Sequence, residues 1–133
     1  MCQLLGVSSN KKVDIQFSLE EFKLRGERNY HGFGFAYYKD GNACLIRKPS
    51  SLAGENIEEN KYRFKSKIII GHVRLVSCGN SSHQNTHPFK IDNWLFAHNG
   101  TVTEIKNKPL NRFKPEGETD SEYAFCYLLE KLY

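Results

Sequence analysis

The chain has 133 residues, of which 39% are hydrophobic and 26% charged, which is typical of one ordinary globular domain. The net charge of +4 is mild and scattered, so the basic patches at Lys11-Lys12 and at 61–67 indicate solvated surface rather than a nucleic-acid partner. No apolar run approaches the roughly 20 residues of a membrane span. The N-terminus also lacks a signal-peptide pattern, so we expect a cytoplasmic protein without a membrane partner.

The first predicted elements are a strand and a helix. Residues Cys2–Ser8 read as a short buried strand that begins almost at the terminus. Ser18 and Glu21 have the spacing of a capping box, which predicts a helix over Leu19–Arg28.

A hairpin follows. Residues Gly32–Tyr38 are rich in glycine and aromatic residues, which favours a strand packed closely on another backbone. Asp40-Gly41 predicts a tight turn into a second strand, Ala43–Lys48. We expect a helix over Glu55–Tyr62.

The second half alternates strands with polar segments. The β-branched run Lys67–Arg74 is the clearest strand of the chain. Polar residues predict loops over Val76–Phe89 and Asn107–Gly117, with a short strand, Trp94–His98, between them that ends in Asn99-Gly100.

The last predicted element is a helix that begins after a second capping box, Thr119 with Glu122, and its apolar residues recur at helical spacing. The order of strand, helix, several strands and helix favours an α+β layered fold over a wound parallel sheet.

The chain has four cysteines, and none forms a C-x-x-C pair. Without a secretion signal we expect them to be reduced. Cys78, His83 and His87 suggest a zinc site, but their spacing falls outside the common ligand patterns, so we predict neither a metal nor a cofactor. His87 precedes Pro88 and is expected to order its loop through a hydrogen bond.

Besides being the start of a strand, Cys2 in the pair Met1-Cys2 could act as a catalytic nucleophile. Removal of Met1 would leave Cys2 with a thiol and a free α-amino group, whose reference pKa values are about 8.5 and about 8. The amine is then partly unprotonated near neutral pH and can take the thiol proton, so one residue carries both a nucleophile and its base.

Three other positions each allow an ordinary and a functional interpretation. Arg74 is either a surface arginine or a guanidinium that pairs with a substrate carboxylate. Asn99-Gly100 is either a hairpin turn or an oxyanion hole made by the Asn99 amide and the Gly100 backbone N–H. Asp120 either stabilises the start of a helix or binds a substrate ammonium.

Taken together and in order, several motifs resemble the class II glutamine amidotransferases, which are N-terminal-nucleophile hydrolases. The likeness is greatest to small stand-alone members that begin Met-Cys-x-Leu-Leu-Gly, and it covers the whole chain, 1–133. The motifs that carry it are Cys2, Gly71-His72-Val73-Arg74, Asn85-Thr86-His87-Pro88-Phe89, Ala97-His98-Asn99-Gly100 and Gly117-Glu118-Thr119-Asp120-Ser121-Glu122.

The resemblance implies a role for each matching residue and a four-layer αββα sandwich. Cys2 matches the nucleophile, and Asn99 and Gly100 match the oxyanion hole. Arg74, with Ser77 near it, matches the residue that binds the α-carboxylate of glutamine, and Asp120 the one that binds the α-ammonium. The implied reaction is hydrolysis of the glutamine side-chain amide to glutamate and ammonia through a γ-glutamyl thioester on Cys2.

This sequence departs from the family pattern in three places. Family domains are longer, so the sandwich is expected to be incomplete beyond Tyr133. Residues 30–34 read Tyr-His-Gly-Phe-Gly where relatives usually show Asp-Gly-Trp-Gly, and the role of Cys78 is open.

Two alternatives to glutamine hydrolysis remain. The substrate could be another γ-glutamyl compound, such as a glutathione-related peptide. The chain could instead be a non-catalytic module that needs a partner chain to cover its strand edges. If ammonia is used, a separate partner has to accept it, and the sequence leaves self-association open.

Overall fold

The computed structural model describes residues 2–28, 30–75 and 80–133. Its strands are β1 (Gln3–Val13), β2 (Phe33–Lys39), β3 (Asn42–Lys48), β4 (Ser66–Val73), β5 (Phe89–Ile91) and β6 (Trp94–Phe96). Its α-helices are α1 (Gln16–Gly26) and α2 (Asp120–Leu132), and short 3-10 turns lie at Leu52–Gly54, Asn60–Tyr62 and Ile105–Asn107. The fold class is α+β, as predicted. Neither α-helix has the length and apolar character to cross a membrane.

Four of the strands form one antiparallel sheet in the order β1-β4-β2-β3. Val73, the last residue of β4, pairs with Gln3 on one side and with Phe33 on the other. The beginnings of β1 and β2 therefore lie beside the end of β4, at one end of the sheet. The predicted turn at Asp40-Gly41 joins β2 to β3, with φ values of 50° and 80° that suit a tight hairpin.

Helix α1 covers one face of this sheet. Alternate residues of β2, Phe33 and Phe35, are fully buried there against Leu19 and Phe22 of the helix. Burying a side chain of this size contributes about 2 kcal/mol to folding. The same core cluster also includes Ile15, Leu52, Tyr62, Ile69 and Val73.

The hairpin of β5 and β6 lies against the opposite face. The Tyr38 hydroxyl donates a hydrogen bond to the Asn93 carbonyl at 2.9 Å, between the two hairpin strands. Helix α2 covers the hairpin, because Phe125 stacks on Phe96 with ring centroids 5.1 Å apart and packs with Phe89. The layer order is therefore that of the predicted αββα sandwich, with a two-stranded second sheet among the described residues.

Two helix predictions need correction. Helix α1 begins at Gln16, so Ser18 lies inside it, and Ile15 at the N-cap makes no side-chain cap hydrogen bond. Ile15 is buried at this start, and Asp14 Oδ1 accepts the Gln16 N–H at 3.3 Å, so the predicted Ser18 cap is wrong.

The predicted helix over Glu55–Tyr62 is wrong. The Glu55 carboxylate accepts hydrogen bonds from Tyr62 Oη, at the other end of the segment, and from Lys48 Nζ on β3, both at 2.8 Å. Asn56 Oδ1 accepts the Glu58 N–H at 3.1 Å. Such side-chain bonds compete with a regular helix.

The second-half predictions hold with two changes. Strand β5 was not predicted, and the strand at Trp94 ends at Phe96 rather than at His98. The Thr119 cap is confirmed, because its Oγ1 accepts the Glu122 N–H at 3.2 Å. The Glu122 carboxylate accepts instead from the N–H groups of Glu116 and Gly117, which leaves the capping box half formed.

The close packing at Gly34 predicts that alanine substitution lowers the free energy of unfolding much more there than at Gly6. A Cβ at Gly34 would lie 2.2 Å from the His87 carbonyl oxygen, whereas a Cβ at Gly6 would meet no atom within 4 Å. We expect Gly34→Ala to lower the free energy of unfolding by about 2–3 kcal/mol. Gly6→Ala, the matched control in the same sheet, should change it by less than about 0.5 kcal/mol. Urea denaturation measures both, and equal effects would contradict the close packing at Gly34.

Candidate active site

Cys2 lies at the end of the sheet where β1 begins beside β4. The backbone N–H of Leu75 donates to the Cys2 sulfur at 3.2 Å, and the thiol donates to the Leu75 carbonyl at 3.4 Å. The Cys2 carbonyl accepts from Asn99 Nδ2 at 2.9 Å. Cys2 is half-buried and is held on its side chain and its main chain; Met1 lies outside the described residues.

Arg74 follows β4 directly and is only 3% exposed, so the surface-arginine interpretation is wrong. Its backbone N–H donates to the Gly32 carbonyl at 2.7 Å, which continues the pairing with β2. Its guanidinium Nη1 donates to the Asn80 carbonyl at 2.9 Å. A buried cation needs hydrogen-bonded partners, and an anionic ligand gains from the low local dielectric. Ser77 and Cys78 lie outside the described residues.

Asp120 is the first residue of α2 and is half-buried. Its Oδ2 accepts the Val102 N–H at 2.5 Å, which ties the segment after Gly100 to the helix. An acidic side chain at this position also interacts favourably with the positive end of the helix dipole. Its predicted roles at the helix start and as a ligand for an ammonium are compatible, because a carboxylate has lone pairs beyond one hydrogen bond.

Asn99 and Gly100 do not form a hairpin turn, because the turn between β5 and β6 lies at Asp92, with φ 51°. Gly100 has φ 156°, and a Cβ on it would lie 3.0 Å from His98 Nε2. The His98 ring is held by a 3.0 Å hydrogen bond between its Nδ1 and Ser121 Oγ. Gly100 is thus required where the chain passes this ring.

A small cleft brings most of these groups together. It is lined by Cys2, Arg74, Leu75, His87, His98, Gly100, Thr119, Asp120 and Ser121. Asn99 adjoins it through its bond to Cys2. A thiol, a cation and a carboxylate on one cleft are the groups that would bind an amino acid by its charged ends and attack its side chain.

The cleft borders a stack of two buried histidines that the sequence did not predict, and one of them, His87, is part of its lining. The rings of His72 and His87 stack with centroids 4.3 Å apart. Among the residues that the structure describes, no ring nitrogen of either has a hydrogen-bond partner, so the predicted loop-ordering hydrogen bond of His87 is wrong. Its ring instead also packs against Phe89 at 4.4 Å. Both histidines belong to motifs quoted in the sequence analysis, Gly71-His72 and His87-Pro88, but their separation in sequence does not predict that their rings stack.

Burial keeps both histidines neutral. It lowers the pKa of His72 to about 4, and the positive charge of Arg74 acts in the same direction. Burial, followed by the neighbouring His72 and Arg74, lowers the pKa of His87 to about 2. The stack therefore adds no positive charge beside Arg74 near neutral pH.

The other cysteines that the structure describes are poorly placed for catalysis. Cys126 is fully buried, and desolvation raises the pKa of its thiol to about 11. Cys44 lies on β3, where its thiol donates to the Asn42 carbonyl at 3.7 Å. A larger cavity of about 320 Å³ beside Arg47 and Glu122 contains no cysteine, serine or threonine in its lining.

The buried histidines predict a stability loss in mild acid. The pKa of His87 is lower in the folded protein than the ordinary 6.5, so its stabilising effect is complete above pH 6.5 and declines as the pH falls below it. Between pH 7 and pH 5, His87 should account for about 2 kcal/mol of lost unfolding free energy. Denaturant titrations of the wild type and of His87→Phe should differ in their pH dependence by that amount, and parallel profiles would contradict this.

The chain is similar to known proteins over nearly its whole length. The model of the class II glutamine amidotransferases matches residues 1–133. An uncharacterised protein of Methanocaldococcus jannaschii is 44% identical over 99% of this chain and 39% of its own length. YafJ of Escherichia coli, provisionally named a glutamine amidotransferase, is 37% identical over 99% of this chain and 55% of its own.

A crystal structure of a predicted glutamine amidotransferase from Pseudomonas aeruginosa superposes with a TM-score of 0.62 and 29% identity. The superposition covers 99% of this chain and 56% of that one, so the chain spans about half the length of the proteins it matches. With a family model that covers every residue, the chain belongs to the class II glutamine amidotransferases.

Proposed function

We propose that the protein, after removal of Met1, hydrolyses the side-chain amide of glutamine to glutamate and ammonia through a γ-glutamyl thioester on Cys2. The observation that carries this proposal is that Cys2, the buried Arg74 and Asp120 all line one small cleft. Free glutamine offers a carboxylate, an ammonium and an electrophilic carboxamide, which are the complements of these groups.

Acylation begins when the free α-amino group of Cys2 takes the thiol proton. The sulfur attacks the carboxamide carbon, and the carbonyl oxygen becomes an oxyanion. The C–N bond then breaks, and the α-ammonium returns its proton to the departing ammonia. Amine and thiol have reference pKa values within about one unit, so this proton transfer costs little in either direction.

Asn99 and Gly100 would stabilise the oxyanion. Asn99 Nδ2 carries two N–H groups, and the hydrogen bond to the Cys2 carbonyl uses one of them. The other can donate to the oxyanion together with the Gly100 N–H. A donor of this kind typically contributes about 3 kcal/mol of transition-state stabilisation.

Deacylation needs a water in place of ammonia. The α-amino group takes a proton from this water as it attacks the thioester carbon, the C–S bond breaks, and glutamate leaves while the thiolate regains its proton. Arg74 and Asp120 hold the same two charged groups of the substrate through both halves of the reaction. An ammonia-accepting partner would take up the product of the first half.

Specificity in this scheme comes from the paired charges. Arg74 is almost fully buried, and Asp120 lies at a helix N-terminus with one oxygen already bonded to Val102. A substrate that lacks the α-carboxylate or the α-ammonium would lose its ion pair with Arg74 or with Asp120. Loss of a charged partner of this kind is typically worth more than about 2 kcal/mol.

Labelling with the glutamine-analogue electrophile 6-diazo-5-oxo-norleucine tests the nucleophile. We expect modification at Cys2, loss of labelling in Cys2→Ala, and protection by excess glutamine. Cys126 should stay unlabelled because its thiol is buried and protonated. Peptide mapping identifies the labelled residue, and modification of Cys44, Cys78 or Cys126 instead of Cys2 would contradict the proposal.

The amine can be tested apart from the thiol. A variant with a glutamate inserted between Met1 and Cys2 should retain its methionine, so Cys2 keeps its side chain but has no free amine. We expect glutaminase activity to fall by about 10²–10⁴-fold, the usual contribution of a general base. Mass spectrometry establishes the N-terminus, and alkylation by iodoacetamide checks that the thiol is still accessible. Undiminished activity in the extended variant would rule out the amine as base.

A further inference from the structure

Asn85 is a buried amide that joins the two sides of the cleft. It is 1% exposed, although it lies in a segment of polar residues. Its Nδ2 donates to the Asn80 carbonyl at 3.0 Å. The same carbonyl accepts from Arg74 Nη1 at 2.9 Å, so one oxygen fixes both the amide and the guanidinium.

The oxygen of the Asn85 side-chain amide bonds to the segment just before α2. Asn85 Oδ1 accepts the Glu118 N–H at 2.7 Å, two residues before Asp120. The packing is close, because a Cβ at Gly117 would lie 2.4 Å from this oxygen. The Glu122 carboxylate secures the same turn by accepting from the Gly117 N–H at 2.8 Å.

We propose that Asn85 is a positioning residue that sets the distance between Arg74 and Asp120, and so selects substrates that carry both an α-carboxylate and an α-ammonium. This inference rests on the proposed function. The two charged groups of an α-amino acid share one carbon, so their separation is fixed. A site that binds both must hold its cation and carboxylate to within about 0.5 Å. One shared carbonyl, that of Asn80, and one backbone N–H, that of Glu118, transmit the position of Asn85 to the two sides of the cleft.

The test compares two variants of Asn85 with a matched control. Asn85→Asp keeps the acceptor for the Glu118 N–H, loses the donor to the Asn80 carbonyl, and places a carboxylate near Glu118 Oε2, which accepts from Asn85 Nδ2 at 3.4 Å. Asn85→Ala loses both hydrogen bonds without adding a charge. Asn80→Ala is the control, because it removes a side-chain acceptor of Asn85, at 3.1 Å, but keeps the carbonyl that binds Arg74. For glutamine we expect both Asn85 variants to raise KM about tenfold or more with kcat within about threefold, the size of effect that hydrogen bonds to charged groups have. Asn80→Ala should stay within about threefold on both.

A second substrate separates positioning from general damage. The monoamide of glutaric acid has the carboxylate and the carboxamide of glutamine but no α-amino group, so the spacing of Arg74 and Asp120 does not matter for it. Its kcat/KM should be nearly equal in the wild type and in Asn85→Asp. An equal loss for both substrates, an unchanged KM for glutamine, or a fall in kcat at constant KM would overturn the proposal.

Folding and nucleophile controls complete the design. Circular dichroism and thermal melts show whether each variant folds, and if Asn85→Ala does not, the isosteric Asn85→Asp decides. Failure of both to fold would assign Asn85 to folding and overturn a positioning role. If the wild type neither hydrolyses glutamine nor is labelled at Cys2, the proposed function fails instead, which is a distinct result.

Discussion

The pairing of β1 with β4 is the constraint on which the site depends. Gln3 lies opposite Val73, so the residue before β1 meets the residues after β4. This register places the Cys2 sulfur against the backbone of Leu75, next to Arg74. A slip of one residue would turn the side chains of β1 to the opposite face and separate the thiol from the guanidinium. The apolar face beneath α1 prevents such a slip, because Leu5 and Val7 pack against the core there.

The electrostatics of the cleft follow from what is buried around Arg74. The neighbouring imidazoles of His72 and His87 are neutral because burial lowers their pKa. Their uncharged rings do not oppose the attraction of the guanidinium for an anion, and burial in a low-dielectric region strengthens that attraction. A protonated histidine in either position would add repulsion and a desolvated charge. The stack thus explains how two imidazoles without hydrogen bonds can lie beside a buried cation.

Local patterns predicted the elements whose signals are independent of the fold. The β-branched run of β4, the Asp40-Gly41 turn and the Thr119 cap each depend on nearby residues alone, and each was found. The helix expected at Glu55–Tyr62 failed because the Glu55 carboxylate bonds across the fold to Lys48. Strand β5 exists through its pairing with β6, which no local pattern indicates in so short a segment.

Among the site residues too, only those within a local sequence motif could be predicted. Cys2, Arg74 and Asp120 could be named from motifs, and the structure places all three on one cleft, although their roles stay predictions. The histidine stack and the links of Asn85 could not be derived, because they join residues far apart in sequence through ring faces and backbone carbonyls. Spacing in one chain carries no information on such contacts.

The hydrogen bond from Asn99 Nδ2 to the Cys2 carbonyl fixes the position of Asn99 relative to Cys2. Because Asn99 donates to the main chain of Cys2, the proposed oxyanion donor and the proposed nucleophile are linked by one 2.9 Å contact. Asp120 is fixed to the same segment through Val102, and Asn85 links the helix start to Arg74 through Asn80. The Asn99 bond holds the groups proposed to attack the side chain, and the Asn85 bonds hold the groups proposed to bind the two charged ends. The two tasks therefore rest on separate contacts around one cleft, and each can be perturbed without the other.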